Sequence, residues 1–392
     1  MIKDSNPKQL FEYVRSADVS EVKSLNEIIS GYDFNSVSIE EILSSIKINS
    51  SETLLIDVRS EKEFEESAIP GALNFPVLTN SERHNVGLIY KKYSQTSALW
   101  LAVKYAEPKS ESLKEFLKAN NAYEKKTYIY CWRGGGRSKY LSKMAADLGR
   151  KPAVLKGGYK SFRQSVNNYF SQVKFSEGLL ELSGLTGCGK TELLRSVTGI
   201  LPVIDLELSA RHFSSLLGHI PFEIRNYSPV SNQSAFENSV YSQIFFGKNV
   251  NHSETKYVIE SESRRIGPFE MPGILFEKLQ SSPSVKITCS IDGRIKRIVN
   301  DYFGEDLKGI KPMLKIMNDK ENFFRQRLSN KSYDYLIMLL NEQRVSEFCE
   351  IMIKEYYDKK YLDKAKTHVI EISTDDIISA KENLISVYKR LL

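Results

Sequence analysis

Cysteine is scarce. Four are spread along 392 residues, at Cys131, Cys188, Cys289 and Cys349, with no C-x-x-C pair. That spacing argues against a disulfide framework and against a structural metal site, and it fits the reducing cytoplasm. No apolar run approaches the roughly 20 residues that a bilayer-spanning helix needs. The opening Met1-Ile2-Lys3-Asp4-Ser5 lacks the apolar core of a signal peptide. Internal repeats and low-complexity tracts are also missing. The charge excess is small, +6 with a pI near 8.8, which permits a nucleic-acid partner without demanding one. What remains is 41% hydrophobic and 27% charged, an ordinary composition for burying a core, in a chain long enough for two domains.

The most informative stretch is Tyr128-Ile129-Tyr130-Cys131-Trp132-Arg133-Gly134-Gly135-Gly136-Arg137-Ser138. A short apolar run ends at Cys131, a glycine-rich turn follows, and a helix is expected to open at Ser138. Backbone N–H groups at a helix start are unpaired and the helix dipole is positive there, so an anion is favoured. The same field favours thiolate over thiol, bringing a cysteine pKa from about 8.5 towards roughly 3.5–7.5. Three glycines let the backbone curl with its N–H groups inward. Arg133 and Arg137 add positive charge. Cys131 is therefore the candidate catalytic residue, and Trp132, Arg133, Gly134, Gly135, Gly136, Arg137 and Ser138 form its candidate anion loop.

Around it, Ser38 with Glu41 three residues on reads as a capped helix start. Leu54-Leu55-Ile56-Asp57-Val58-Arg59 reads as a buried parallel strand, residues 61–66 as a short helix, and residues 69–76 as a turn and strand. Strands alternating with helices predict a parallel α/β sheet, and Cys131 then sits at the carboxyl end of a strand, where such sheets place their sites. Asp57-Val58-Arg59, Glu63-Phe64, Ile69-Pro70-Gly71-Ala72-Asn74 and the Cys131 loop together resemble a rhodanese domain. That resemblance implies a persulfide or perselenide carried on Cys131. A rival is the cysteine phosphatases, whose C-x5-R spacing Cys131 and Arg137 share. Tyr130 stands where those enzymes have histidine, and the Ile-Pro-Gly-Ala stretch favours the rhodanese side.

A second motif, Gly184-Leu185-Thr186-Gly187-Cys188-Gly189-Lys190-Thr191, fits G-x4-G-K-[ST] between an apolar strand-like run and a helix start. Gly184, Gly187 and Gly189 allow backbone N–H groups to wrap a diphosphate. Lys190 reaches its oxygens and Thr191 can ligate Mg²⁺. Cys188 is expected to be a spacer with its side chain pointing away. Asp205 with Glu207, and Glu260 with Glu262, follow two later strand ends and are candidates for holding Mg²⁺ or its water. His212 is a candidate base or tRNA contact.

These stretches, with Gly157-Gly158-Tyr159-Lys160, Gln233, Phe236-Glu237-Asn238, Glu260-Ser261-Glu262-Ser263-Arg264, Ile266-Gly267 and Tyr356-Tyr357-Asp358 with Tyr361, resemble the bacterial tRNA 2-selenouridine synthase family over residues 50–362. The resemblance implies a rhodanese domain fused to a P-loop domain. It implies a tRNA substrate whose wobble 2-thiouridine is S-geranylated by geranyl diphosphate and then selenated by selenophosphate. No tightly bound cofactor is expected; selenophosphate and geranyl diphosphate are the expected co-substrates, Mg²⁺ is a candidate ion, and an enzyme supplying selenophosphate is a candidate partner. The chain departs from the pattern after Glu207: His212 is kept, but Phe213 and Ser214 replace Arg-Gly, and Leu217 replaces a phenylalanine before Gly218. Arg211 is expected to compensate.

The expected organisation is an α/β protein. An N-terminal extension (1–35) precedes a rhodanese-like parallel-sheet domain (36–160), a linker helix (161–174), a P-loop NTPase-like α/β domain (175–285) and a helical C-terminal region (286–392). In that last region, residues 354–366 offer lysines and tyrosines for gripping tRNA. Two other functional readings stand beside the synthase: a P-loop kinase or ATPase with a sulfurtransferase-like or phosphatase-like domain, and a non-catalytic RNA-binding protein.

Overall fold

The computed structural model describes residues 7–17, 19, 23–171, 178–247, 256–361 and 368–391. It divides into two units, residues 1–168 and 169–392.

The first unit is built on a five-stranded sheet in the order β1-β5-β4-β2-β3, parallel throughout. The strands are β1 (Ser36–Val37), β2 (Thr53–Asp57), β3 (Leu73–Asn74), β4 (Lys126–Tyr130) and β5 (Ala153–Leu155). β2 and β4 are buried along almost their whole length, so both faces are covered by helices and the sequence reads as a continuous apolar run. Ser38 caps the helix Ile39–Ile48 by accepting from the Glu41 N–H at 3.2 Å. Cys131 follows β4, in the middle of the sheet. The helix after it runs Gly136–Asp147 with Gly135 as its N-cap. It therefore begins two residues before the expected Ser138, because the glycine turn closes early.

The N-terminal extension is not a loose appendage. Leu10 and Val14 of the helix Pro7–Ser16 are buried in the same core as Leu54, Ile56 and Ile129. Between β3 and β4 the chain makes a helical excursion that sequence patterning did not resolve: Asn80–Lys92, Gln95–Ala106 and Ser110–Ala119. The expected linker helix spans Gly158–Ser171, and its Phe162 and Val166 are fully buried. The last three residues of the expected span, 172–174, lie outside the described residues.

The second unit holds another parallel five-stranded sheet, in the order β12-β11-β6-β8-β7. Its strands are β6 (Gly178–Ser183), β7 (Val203–Ile204), β8 (Lys256–Glu260), β11 (Ser284–Thr288) and β12 (His368–Ser373). A small antiparallel pair, β9 (Arg265–Ile266) and β10 (Phe269–Glu270), stands apart. The expectation that residues 286–392 form a helical region is corrected here. β12 returns from beyond residue 367 to pair with β11, and the helix Ile377–Leu391 buries Ala380 and Leu384 in the core beneath the P-loop. A six-residue strand lying between two long helical stretches gives little signal of its own. The helical part proper lies between these strands, from Ile291–Tyr302 to the π-helical turn Met352–Tyr357, around its own core.

Candidate active sites: a cysteine cradle and a P-loop

In the first unit, Cys131 is buried, with 4% of its surface exposed. Its Sγ lies 3.4 Å from Ser138 Oγ. Burial pushes the thiol pKa up. Hydrogen bonds from the Ser138 hydroxyl and from the Arg133 and Ser138 N–H groups, with the charge of Arg137, outweigh burial and bring it below that of an ordinary cysteine. Arg137 is itself engaged, donating to Glu63 at 2.7 Å, and Arg83 pairs with the same carboxylate at 3.0 Å. Arg133 is exposed.

The loop is braced from below. Tyr159 and Lys160 donate their N–H groups to the carbonyls of Cys131 (2.8 Å) and Trp132 (3.0 Å). Gly158, with φ +61°, allows that contact: a Cβ there would lie 2.3 Å from the Cys131 carbonyl oxygen. Trp132 is 42% exposed and lies against the Tyr159 ring (centroids 5.4 Å apart), which in turn carries the Arg59 guanidinium at 4.0 Å. Arg59 is buried and paired with buried Asp57 at 2.7 Å, and it also donates to the Ser67 carbonyl at 2.6 Å. Asn74 donates to the carbonyls of Asp57 and Arg59. The Asp57-Val58-Arg59 and Ile-Pro-Gly-Ala-Asn signatures thus act as the frame of the loop.

In the second unit the P-loop follows β6, flanked by β11 and β8. Lys190 donates to the carbonyls of Gly184 (2.9 Å) and Leu185 (3.2 Å). Burial lowers its pKa, but Cys188, Glu260, Glu207 and Glu262 more than restore it, so it stays a cation. Cys188 is turned inward: it is 2% exposed, in the core of the sheet, with Sγ 3.9 Å from the Lys190 ammonium. Three contacts that the sequence reading did not foresee hold the loop. Arg294, itself 5% exposed, donates to the Thr186 carbonyl at 2.9 Å and pairs with Asp358 at 2.6 Å. Thr374, just past β12, donates to the Cys188 carbonyl at 2.6 Å. Arg297 pairs with Glu192 at 2.6 Å.

Of the four candidate carboxylates, Glu207, Glu260 and Glu262 converge, with ligand atoms within 4.8 Å of one another. Thr191 Oγ1 lies 2.9 Å from Glu207 and 2.8 Å from Glu260. One hydroxyl proton cannot serve both carboxylates, and Glu260 Oε1 is buried with no hydrogen-bond partner. Burial, then mutual repulsion, raises Glu207 far above the carboxylate range and Glu260 to about 8, and burial raises Glu262. A divalent cation fits this donor set, since it would satisfy the orphan oxygen and relieve the repulsion. Asp205 stands apart from the cluster. It caps the helix Leu206–Ala210 (Leu208 N–H, 2.7 Å) and pairs with Arg195 at 2.7 Å.

His212 donates its backbone N–H to the Glu207 carbonyl at 3.0 Å, while its buried Nδ1 has no partner. Burial lowers its pKa, and the neighbouring His219 lowers it further. Phe213 packs on Phe222 and Tyr302, and Leu217 is buried in the helical core, so both departures at these positions are packing changes. Arg211 donates to the Ser228 carbonyl and lies over Tyr227. In the tRNA-gripping stretch, Lys354 pairs with Glu350, while Tyr356 and Tyr357 pack edge to face in the helical core. They are not free stacking platforms. Residues 362–366 lie outside the described residues.

Residues 177–380 match the family described as the tRNA 2-selenouridine synthase AAA domain, and residues 40–165 match the rhodanese-like domain. The chain belongs to the tRNA 2-selenouridine synthase family. A tRNA 2-selenouridine synthase from Chromohalobacter salexigens is 30% identical over 331 residues, 78% of this chain and 86% of that relative. One from Cupriavidus pinatubonensis is 29% identical over 338 residues, 79% and 88% of the two chains. One from Bdellovibrio bacteriovorus is 33% identical over 253 residues, 63% of this chain and 64% of that one, just under two thirds of its length. The two family domains correspond to the two sites: the first contains the cysteine cradle and the second the P-loop with its carboxylates. Among the described residues no helix is long and apolar enough to cross a membrane.

Proposed function

We propose that the chain is a cytoplasmic tRNA-modifying transferase that replaces sulfur by selenium in a wobble 2-thiouridine. The observation that carries this reading is the pairing, on one chain, of a glycine-rich loop around a buried cysteine whose pKa is lowered with a P-loop backed by three converging carboxylates. In the first step the P-loop N–H groups and Lys190 hold the diphosphate of geranyl diphosphate. The thiouridine sulfur attacks the allylic carbon, the C–O bond breaks and diphosphate leaves. Glu207, Glu260, Glu262 and Thr191 would hold a Mg²⁺ ion, which when bound would neutralise charge on that leaving group. In the second step the selenium of selenophosphate adds at C2 of the base, the C2–S bond breaks and the geranyl thiolate departs, taking up a proton, while water cleaves the Se–P bond and phosphate is released. S-alkylation makes that sulfur a better leaving group.

Cys131 positions the selenophosphate, with the cradle N–H groups accommodating its negative charge. Trp132, exposed and backed by Tyr159 and Arg59, offers a face on which the uracil ring can stack. An enzyme that makes selenophosphate is the partner this scheme requires. The test is mass spectrometry of wobble nucleosides from cells with and without the gene. The selenonucleoside should disappear without it, and its persistence would end this reading. Because a P-loop also suits ATP, calorimetry with both ligands separates the kinase reading. Mg²⁺-dependent ATP binding and turnover, with no affinity for geranyl diphosphate, would favour the kinase.

A further inference from the structure

The excursion between β3 and β4 contains a helix that is apolar on two faces. In Gln95–Ala106, one face buries Leu101 and Tyr105 in the unit's core. The other presents Leu99, Ala102 and Val103 to a cavity of about 840 Å³. The opposite wall comes from the helix Asn80–Lys92, through Val86, Gly87 and Leu88. An apolar helix face is normally paired with another apolar surface. Here it faces open volume, within the roughly 300–1,000 Å³ range of small-molecule sites.

The position of the cavity is equally informative. At one end it is lined by Gly136 and Arg137, the first turn of the cysteine helix, five and six residues beyond Cys131. Arg83, also in the wall, shares the carboxylate of Glu63 with Arg137, which ties this part of the wall to the cysteine helix, while His84, Lys91 and Gln95 add further polar groups to the lining. A ligand reacting at the cradle and carrying an apolar tail could lay that tail along this wall.

We infer that this cavity is a binding site for the hydrocarbon chain of an S-prenylated uridine, held while C2 is presented to the Cys131 cradle. The inference rests on the proposed S-alkylated intermediate, and it assigns the chain a place within the cysteine-bearing unit. It also gives the cavity a selective role, since a short S-alkyl group would leave the apolar walls unfilled.

Gly87 provides the probe. A Cβ built there meets nothing within 4 Å, so a side chain at this helical position extends into space without a clash. Gly87→Phe should fold, because leaving glycine in a helix interior is itself favourable. Calorimetry would compare S-geranyl-2-thiouridine and S-methyl-2-thiouridine nucleosides on the wild type, Gly87→Phe, Ala102→Leu and Lys190→Ala. The wild type and Lys190→Ala should bind the geranyl form about tenfold or more tightly than the methyl form, as buried methylenes contribute in proportion to area. Gly87→Phe should lose that preference while melting at the wild-type temperature. If Gly87→Phe melts lower, Ala102→Leu on the facing wall serves in its place. Equal affinity for both nucleosides in the wild type, or an undiminished preference in the filled variants, overturns the inference. Turnover of thiolated tRNA by the wild type reads the proposed function separately. Chain-selective binding without turnover sinks that function and keeps the site, and turnover with unchanged binding in the filled variants sinks only the site.

Discussion

At Cys131 a hydroxyl, two backbone N–H groups and a nearby guanidinium outweigh the cost of burying a thiolate. The sign of the resulting pH dependence follows. With the pKa below that of a free cysteine, the thiolate persists to lower pH and is lost only as pH falls through the depressed value. Ser138→Ala removes the hydroxyl that lies 3.4 Å from Cys131 Sγ, so the thiolate titration should move upward. Ultraviolet thiolate absorbance, referenced to Cys131→Ala, would measure it, and an unchanged midpoint would mean that the Ser138 contact is idle. Trp132→Ala should raise KM for tRNA more than it lowers kcat, with Trp132→Phe restoring much of the loss. An equal fall in both variants, confined to kcat, would argue against a stacking role. The turn after Cys131 and the P-loop that contains Lys190 were readable from sequence because each is a local pattern with a local physical cause. Asp205 was not separable from Glu207 in that way. Both follow a strand end, and only the fold shows that one caps a helix while the other turns towards Thr191.

The elements that hold the two loops come from distant parts of the chain, which is why spacing alone did not reveal them. Gly158 lies 27 residues beyond Cys131, yet a Cβ at this position would lie 2.3 Å from the Cys131 carbonyl oxygen. Gly158→Ala should cost about 2 kcal/mol or more in stability, from positive-φ strain and the backbone clash together. Gly135→Ala should be nearly neutral, because a Cβ there meets nothing within 4 Å. Equal melting temperatures for the two variants would refute the bracing role of Gly158. In the second unit, Arg294 ties the Thr186 carbonyl to Asp358 across 64 residues of helical chain. Arg294→Ala leaves Asp358 without its partner, and losing one member of a largely buried pair costs about 3 kcal/mol. It should also weaken diphosphate binding, measurable by calorimetry. Unchanged affinity would show that the P-loop keeps its shape unaided. The helical excursion between β3 and β4 was missed in the sequence for a related reason. Its second helix is apolar nearly all round, so it lacks the one-sided periodicity by which a helix is recognised.

For the whole molecule, the fold class and both family domains were legible, since alternating strands and helices with two loop motifs constrain an α/β chain strongly. The return of β12 was not legible, because strand pairing across the helical part is a long-range property. Binding of tRNA should weaken steeply with salt, as phosphate contacts release counterions. Filter binding over a salt series would test this, and a flat affinity would favour the kinase reading. The central claim is that the two sites divide the chemistry. Incubation of thiolated tRNA with geranyl diphosphate and selenophosphate, followed by chromatography of the nucleosides, tests it most directly. Cys131→Ala should accumulate the S-geranyl nucleoside without selenouridine, and Lys190→Ala should leave 2-thiouridine unchanged. Selenouridine formed by Cys131→Ala at the wild-type rate would contradict the account, showing that selenium delivery does not need the Cys131 thiol.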